Sequence, residues 1–554
     1  MKRWDFGGSF RYMQAALSLL SADSWSTHYD FVLNLHYQLA KAAYPCGAIE
    51  VAKFVLNEID KRGKCLEDKL DAYDLLVTIL QHHQDDLSLA LDTCCKTLKL
   101  LGEDVPFDED ISAVTQIIEL GRTRINTSFI SSSEMLNMPR TKCKQSTEIM
   151  RFYYQLVLVS FTKGDREIGR ARGLLCGYYI SRWVSYCLNQ KAICKHTPVA
   201  LGFYSGMLVH GFGERNCREA LRFGKIALQF LNENEDENEL PSTYLPIYGF
   251  VLCLSEPIQA CVEMHRRAYE VGMQIGNVSD AFSNLYFMIP RMIDCGEKLD
   301  VVKKQIDFFQ QLAKTHSHSV LATYMQWYQD TITGLCDSRA SPAVSPANAD
   351  ECNITDATSV HIIQLCLPAV YLGQYERVQF LMKKWDSLQF DEKNRMPWRT
   401  ILISYYNGLA FAGLHRRKKN VRARLSCLEN SISVLGKASN FSEWNFKAKL
   451  YLLLAEKQSI KGNYREAEAQ YDTSIKAAQA SRFIHEEALA CELSARHYRE
   501  KSHGDLDKAL SLYRQAEKCY EEWGSPKKAR QMKEAIHMIA MKGNVLPVEQ
   551  KCIC

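Results

Sequence analysis

Val32, Leu35 and Leu39 recur at the spacing of one helical face, and Asp30, Asn34, Gln38 and Lys41 occupy the opposite one. A period of about 3.6 residues with polar side chains opposite predicts an amphipathic helix over 28–43. The stretch AKLYLLLAEKQSIKGNYREAEAQYDTSIKAAQA, 448–480, shows how two such helices join. Leu450, Leu454 and the small Ala455 share a face before the turn, and Gly462-Asn463 breaks the helix. Glycine suits that position because it adopts positive φ without a side-chain clash. Ala467, Tyr471 and Ser474 then follow at i, i+4 and i+7, again on one face. Small residues at 455 and 467 are expected to let the helices approach, with Leu454 and Tyr471 filling the space beside them.

The same order recurs. Leu39, Ala40, Ala43, Gly47, Ala52, Leu56 and Ile59 repeat it, as do Ile362, Leu365, Cys366, Ala369, Gly373, Val378 and Met382. Ala220 and Ala227 hold the small positions in REALRFGKIALQFL. Ala509, Tyr513 and Ala516 follow the turn SHGDLDKA, after a helix that runs out of register. This large–small alternation across a short turn resembles a tetratricopeptide repeat. No comparable strand alternation occurs, so the expected fold is all-α, a degenerate tetratricopeptide-like solenoid of stacked helical hairpins. In such an array each hairpin buries its apolar face on its neighbours, which distributes stability along the chain.

Punctuation divides the array. Residues 1–123 form an N-terminal group of hairpins, and the Ser/Thr-rich 124–147 reads as a linker. Central repeats occupy 148–336, and the Pro/Ser/Ala-rich 337–356 reads as a mobile loop, with Ser341 and Ser345 before prolines. C-terminal repeats fill 357–530, followed by a terminal helix and tail over 531–554.

Length and charge narrow the function. A chain of 554 residues exceeds one compact core, which fits an extended array. A net charge of +4 gives no electrostatic argument for nucleic acid or a membrane surface. No run reaches the roughly 20 apolar residues that cross a bilayer. The 20 cysteines lie mostly on apolar helical faces with no CxxC pair, so they read as reduced thiols of a cytoplasmic protein. The sequons at Asn126, Asn277, Asn353 and Asn440 are then expected to be unused. The run HRRKKNVRAR, 415–424, reads as a solvated turn between helices, with an anionic-partner patch or nuclear signal as the alternative. The ending KCIC is similar to a doubly prenylated tail at Cys552 and Cys554, but CaaX spacing is not met.

Catalytic signatures are missing from the sequence. There is no GxxxxGK[ST] loop, and the Gly-Lys pairs at Gly63, Gly224 and Gly436 lack its other residues. His485 opens HEEALACE without the second histidine of a zinc-protease helix, and Cys187, Cys194 and His196 lack a fourth ligand. Glu233, Glu235 and Glu237 lie in a loop that reads as solvated. No catalytic, cofactor-binding or metal residue is therefore assigned. Repeat positions are specified by packing, so they mark the interior and leave the binding face and oligomeric state unmarked.

Further landmarks occur in order: MLNMP at 135–139, RRAYEVGMQIGNVSDAF at 266–282, WNFKAKLYLLLAE at 444–456, EALACELSARHYRE at 487–500 and CYEEWGSPKKA at 519–529. With the N-terminal stretch from Gly7 to Leu56, this order resembles the tetratricopeptide-like region of large signalling proteins. Those proteins join a serine/threonine kinase-like domain, an AAA/STAND-type predicted ATPase and PAS, histidine kinase or cyclase outputs. The resemblance spans about residues 7–530 and implies a regulatory region that binds a protein or peptide partner. None of the family's catalytic motifs is present, so no catalytic residue carries over. The expected function is a non-enzymatic interaction scaffold or regulatory sensor of signal transduction without cofactors, nucleic acid or membrane. The alternative is a partial product of a multidomain ATPase or kinase whose catalytic domains lie outside this chain.

Overall fold

The computed structural model describes residues 6–21, 23–84, 86–107, 111–166, 172–209, 214–233, 237–315, 319–336, 359–387, 397–417, 422–500 and 504–543. Among these the protein is all-α, and one isolated bridge, Arg140 to Ile193, is the only extended pairing. The 337–356 segment, with Ser341 and Ser345, lies outside the described residues, as do Lys418 to Val421, Cys552 and Cys554.

Helix pairs stack on their neighbours along the chain. Tyr29–Ala43 packs on Ile49–Arg62, Ile258–Ile275 on Val278–Asp294, Ser359–Tyr371 on Tyr375–Ser387, Glu443–Lys461 on Tyr464–Ala480 and Ile484–Glu500 on Leu506–Trp523. The turns at Gly47, Gly276, Gly373 and Gly462 adopt φ of +71°, +79°, +69° and +80°, a region that strains any residue with a Cβ. The small positions work as the pattern requires. Ala455, Ala467 and Ser474 are buried, and the Ser474 hydroxyl donates to the Ala448 carbonyl across the pair at 2.7 Å. Leu454 departs from its expected role, being only half-buried, while Leu452 and Leu453 are enclosed. Four leucines within five positions leave the inward face ambiguous, since each step rotates the side chain by about 100°.

The 124–147 segment is more ordered than a linker. The Ala113–Ser128 helix runs into it, and Ser131 and Glu134 form a capping box on the short helix Ser132–Leu136. Met135 is buried, the Ile193 amide donates to the Pro139 carbonyl, and Lys144–Arg166 begins before the segment ends. Local caps, which satisfy helix-end amides, take the place of an apolar period.

The C-terminal pairs also fold back on the central block. Asn445, in the first turn of Glu443–Lys461, donates to the Cys253 and Glu256 carbonyls and accepts from the Ile258 amide. Trp398, in the first turn of Pro397–Arg416, donates to Asp294 Oδ2 at 2.7 Å, and Arg399 donates to the Tyr286 hydroxyl. His485, opening Ile484–Glu500, lies against Gly296, and Ser525, before Pro526–Gly543, donates to the Leu335 carbonyl. The amino termini of four alternate helices thus form one rim seated on residues 253–336. One continuous apolar core runs from Leu70 to Ile539, and a separate cluster from Leu39 to Ile79 holds the first pair.

Candidate interaction surface

The residues that carried possible chemistry in the sequence have packing roles. His196 pairs with Glu239, Nδ1 to Oε2 at 2.9 Å, while Cys187 and Cys194 both lie against the Thr197 hydroxyl. Burial pushes the Cys187 thiol up to about 12, away from the thiolate that a metal needs. Among the described residues no group of three His, Cys, Asp or Glu side chains is disposed to hold a metal. Glu237 pairs with Arg267 at 2.8 Å.

In the basic run at 415–424 Arg416 departs from the solvated-turn expectation, while Arg417 is exposed in a turn as expected. Arg416 is largely enclosed and binds Glu456 through Nε at 3.0 Å and Nη2 at 3.2 Å. Arg417 reaches Glu376 and the Gly373 carbonyl. Composition alone suggested a hydrated cluster because the acidic partners lie about forty residues away in sequence.

A second set of buried charges lies near the rim. Lys449 Nζ is 3.3 Å from Glu486 Oε1, and the Tyr405 hydroxyl donates to the other carboxylate oxygen at 2.5 Å. Lys528 binds Glu492 at 2.7 Å, with Tyr520 donating to the same carboxylate. Burial opposes charge on Glu486 and Glu492, but Lys449 and Lys528 outweigh it and hold both carboxyls below the usual range. Between Arg291, Asp294, Tyr328 and Trp398 a cavity of about 30 Å³ remains, room for a water molecule but not a substrate. These polar groups lie where the helix ends meet the central block.

The exposed surface differs on the Ala113–Ser128 helix, capped by Ser112, whose hydroxyl accepts from the Thr115 amide. Its polarity is reversed. Gln116, Thr123 and Thr127 point inward: Gln116 donates to the Ile111 carbonyl, Thr123 bonds Ser185, and Thr127 bonds the Tyr204 hydroxyl at 2.7 Å. Val114, Ile117, Ile118 and Ile125, with Phe129 just beyond the helix, point outward and are 58–81 % exposed. Beside this stripe opens a polar cleft of about 420 Å³, walled by Arg122, Asn126 and Asn189, with the Arg182–Glu103 pair at 2.8 Å among its lining groups. A contiguous apolar patch bordered by polar groups is the anatomy of a protein-binding surface.

Sequence reasoning missed this surface. The spacing of Val114, Ile117, Ile118 and Ile125 is visible, but a periodic apolar stripe reads as a core face. Only the tertiary partners of Thr123 and Thr127 reveal that the other side is buried. No family model matches the chain, and no curated protein matches its sequence.

Proposed function

We propose that this protein is a non-enzymatic protein–protein interaction scaffold of signal transduction, acting in the cytoplasm through the outward face of the Ala113–Ser128 helix. The observation that carries this reading is the reversed polarity of that helix. The hydrogen-bonded hydroxyls of Thr123 and Thr127 fill its buried side, while large apolar side chains that cost free energy in water stand outside. The C-terminal rim is already occupied by residues 253–336. Among the described residues no helix is long and apolar enough to cross a membrane.

The alternative, a helical part of a larger ATPase or kinase, rests on the ordered landmarks. Several have packing roles: Met135 is buried, a Cβ on Gly272 would lie 2.9 Å from that of Ala281, and Trp523 is enclosed. Such roles belong to any packed helical array and add nothing about catalysis.

A photo-crosslinking residue at Ile118 tests the proposal in cells, with Arg530 on the last helix as control. Protein adducts at Ile118 and few at Arg530 are expected, with no ATP turnover by the purified chain. Equal labelling at the two sites, or turnover that survives repurification, overturns the scaffold reading.

A further inference from the structure

The middle of the stripe is symmetric about Gly121, and this suggests its occupant. Ile117 and Ile125 lie four residues to either side of Gly121 on the same face. A Cβ built on Gly121 meets nothing within 4 Å, so the centre of the stripe is open backbone. Glycine at a helix crossing lets two backbones approach closely. Resting on the scaffold reading above, we infer that the occupant is a second copy of this chain, its Ala113–Ser128 helix crossing antiparallel at Gly121.

Three features support this pairing. Antiparallel alignment about Gly121 sets each Ile117 opposite the Ile125 of the second copy, covering both pairs at once. Arg122 follows Gly121 by one residue and Glu119 precedes it by two, so the same alignment brings Arg122 of each copy to within one residue of Glu119 of the other. Neither carries an ion pair within its own chain among the described residues. The five outward side chains offer roughly 500–600 Å² of apolar surface per copy, which with their polar flanks approaches the ~800 Å² per partner of a stable interface. Two-fold symmetry is the commonest solution for a self-complementary patch.

The test combines sedimentation of the full chain with site-specific disulfides. Wild type sediments as a dimer, and Ile117→Glu raises the dimer dissociation constant at least about tenfold with its unfolding midpoint retained. Oxidised Gly121→Cys gives covalent dimer above the wild-type background. Mixing Ile117→Cys with Ile125→Cys does so too, while Ile117→Cys alone does not. A dimer unmoved by Ile117→Glu, or one in which Ile117→Cys alone crosslinks, overturns the antiparallel pairing. A monomer whose Ile118 crosslinks a different protein overturns the self-association and leaves the scaffold reading standing. A monomer that instead binds anionic vesicles through the stripe defeats both.

Discussion

Tyr471 illustrates how one side chain serves both packing and charge. Its ring is buried and lies against His497, and its hydroxyl donates to Glu456 while accepting from Arg416. Tyr471→Phe keeps the ring and removes the donor, so denaturant unfolding should show a loss of about 1–3 kcal/mol with an unchanged slope. An unchanged midpoint would mean that Arg416 alone satisfies the carboxylate. The ring's place was legible in the sequence because large and small residues alternate locally. Glu456 was not, since it reads as part of a hydrated face until Arg416, forty residues earlier, is placed beside it. Leu454 was legible as apolar but assigned to the wrong side of a leucine run.

Helices are held at their ends by pairs that periodicity does not reveal. Lys449, in the second turn of Glu443–Lys461, and Glu486, in the first turn of Ile484–Glu500, bury their charges together. Lys449→Met leaves Glu486 enclosed without its cation, and the expected cost is about 3–5 kcal/mol by chemical denaturation. Lys449→Met with Glu486→Leu removes both charges and should recover most of that loss, a coupling that a double-mutant cycle reads directly. Additive losses would show that the pair acts through neither partner. Helix existence, turn glycines and small contact positions followed from the chain's own pattern. The capping box at Ser131 and Glu134 replaced an expected linker, and the outward stripe from Val114 to Phe129 was visible in spacing but not in direction. Direction is set by Ser185 and Tyr204, residues far along the chain.

Acid should loosen the whole molecule before its carboxylates titrate. Burial holds His265 and His485 at about 4, below the ordinary 6.5, because the imidazolium would lose its water. The unfolded chain therefore binds more protons between these values, and stability falls as pH drops from 6.5 towards 4. Glu456, Glu486 and Glu492, held low against burial by their cations, add a further loss below the usual carboxyl range. Asp280 and Asp294 are raised by burial and oppose this trend. Thermal midpoints measured from pH 7 to 4 should decline in wild type and decline less steeply in His485→Gln. Parallel curves would assign the acid sensitivity elsewhere.

The rim on residues 253–336 has a mechanical consequence. A stack touching only its neighbours behaves as a spring whose pitch changes one coil at a time. Here Trp398, Asn445, His485 and Ser525 pin four consecutive coils to one anvil, so extension requires them to let go together. Pulled from its ends, the C-terminal half should yield in one large step, not a staircase of small ones.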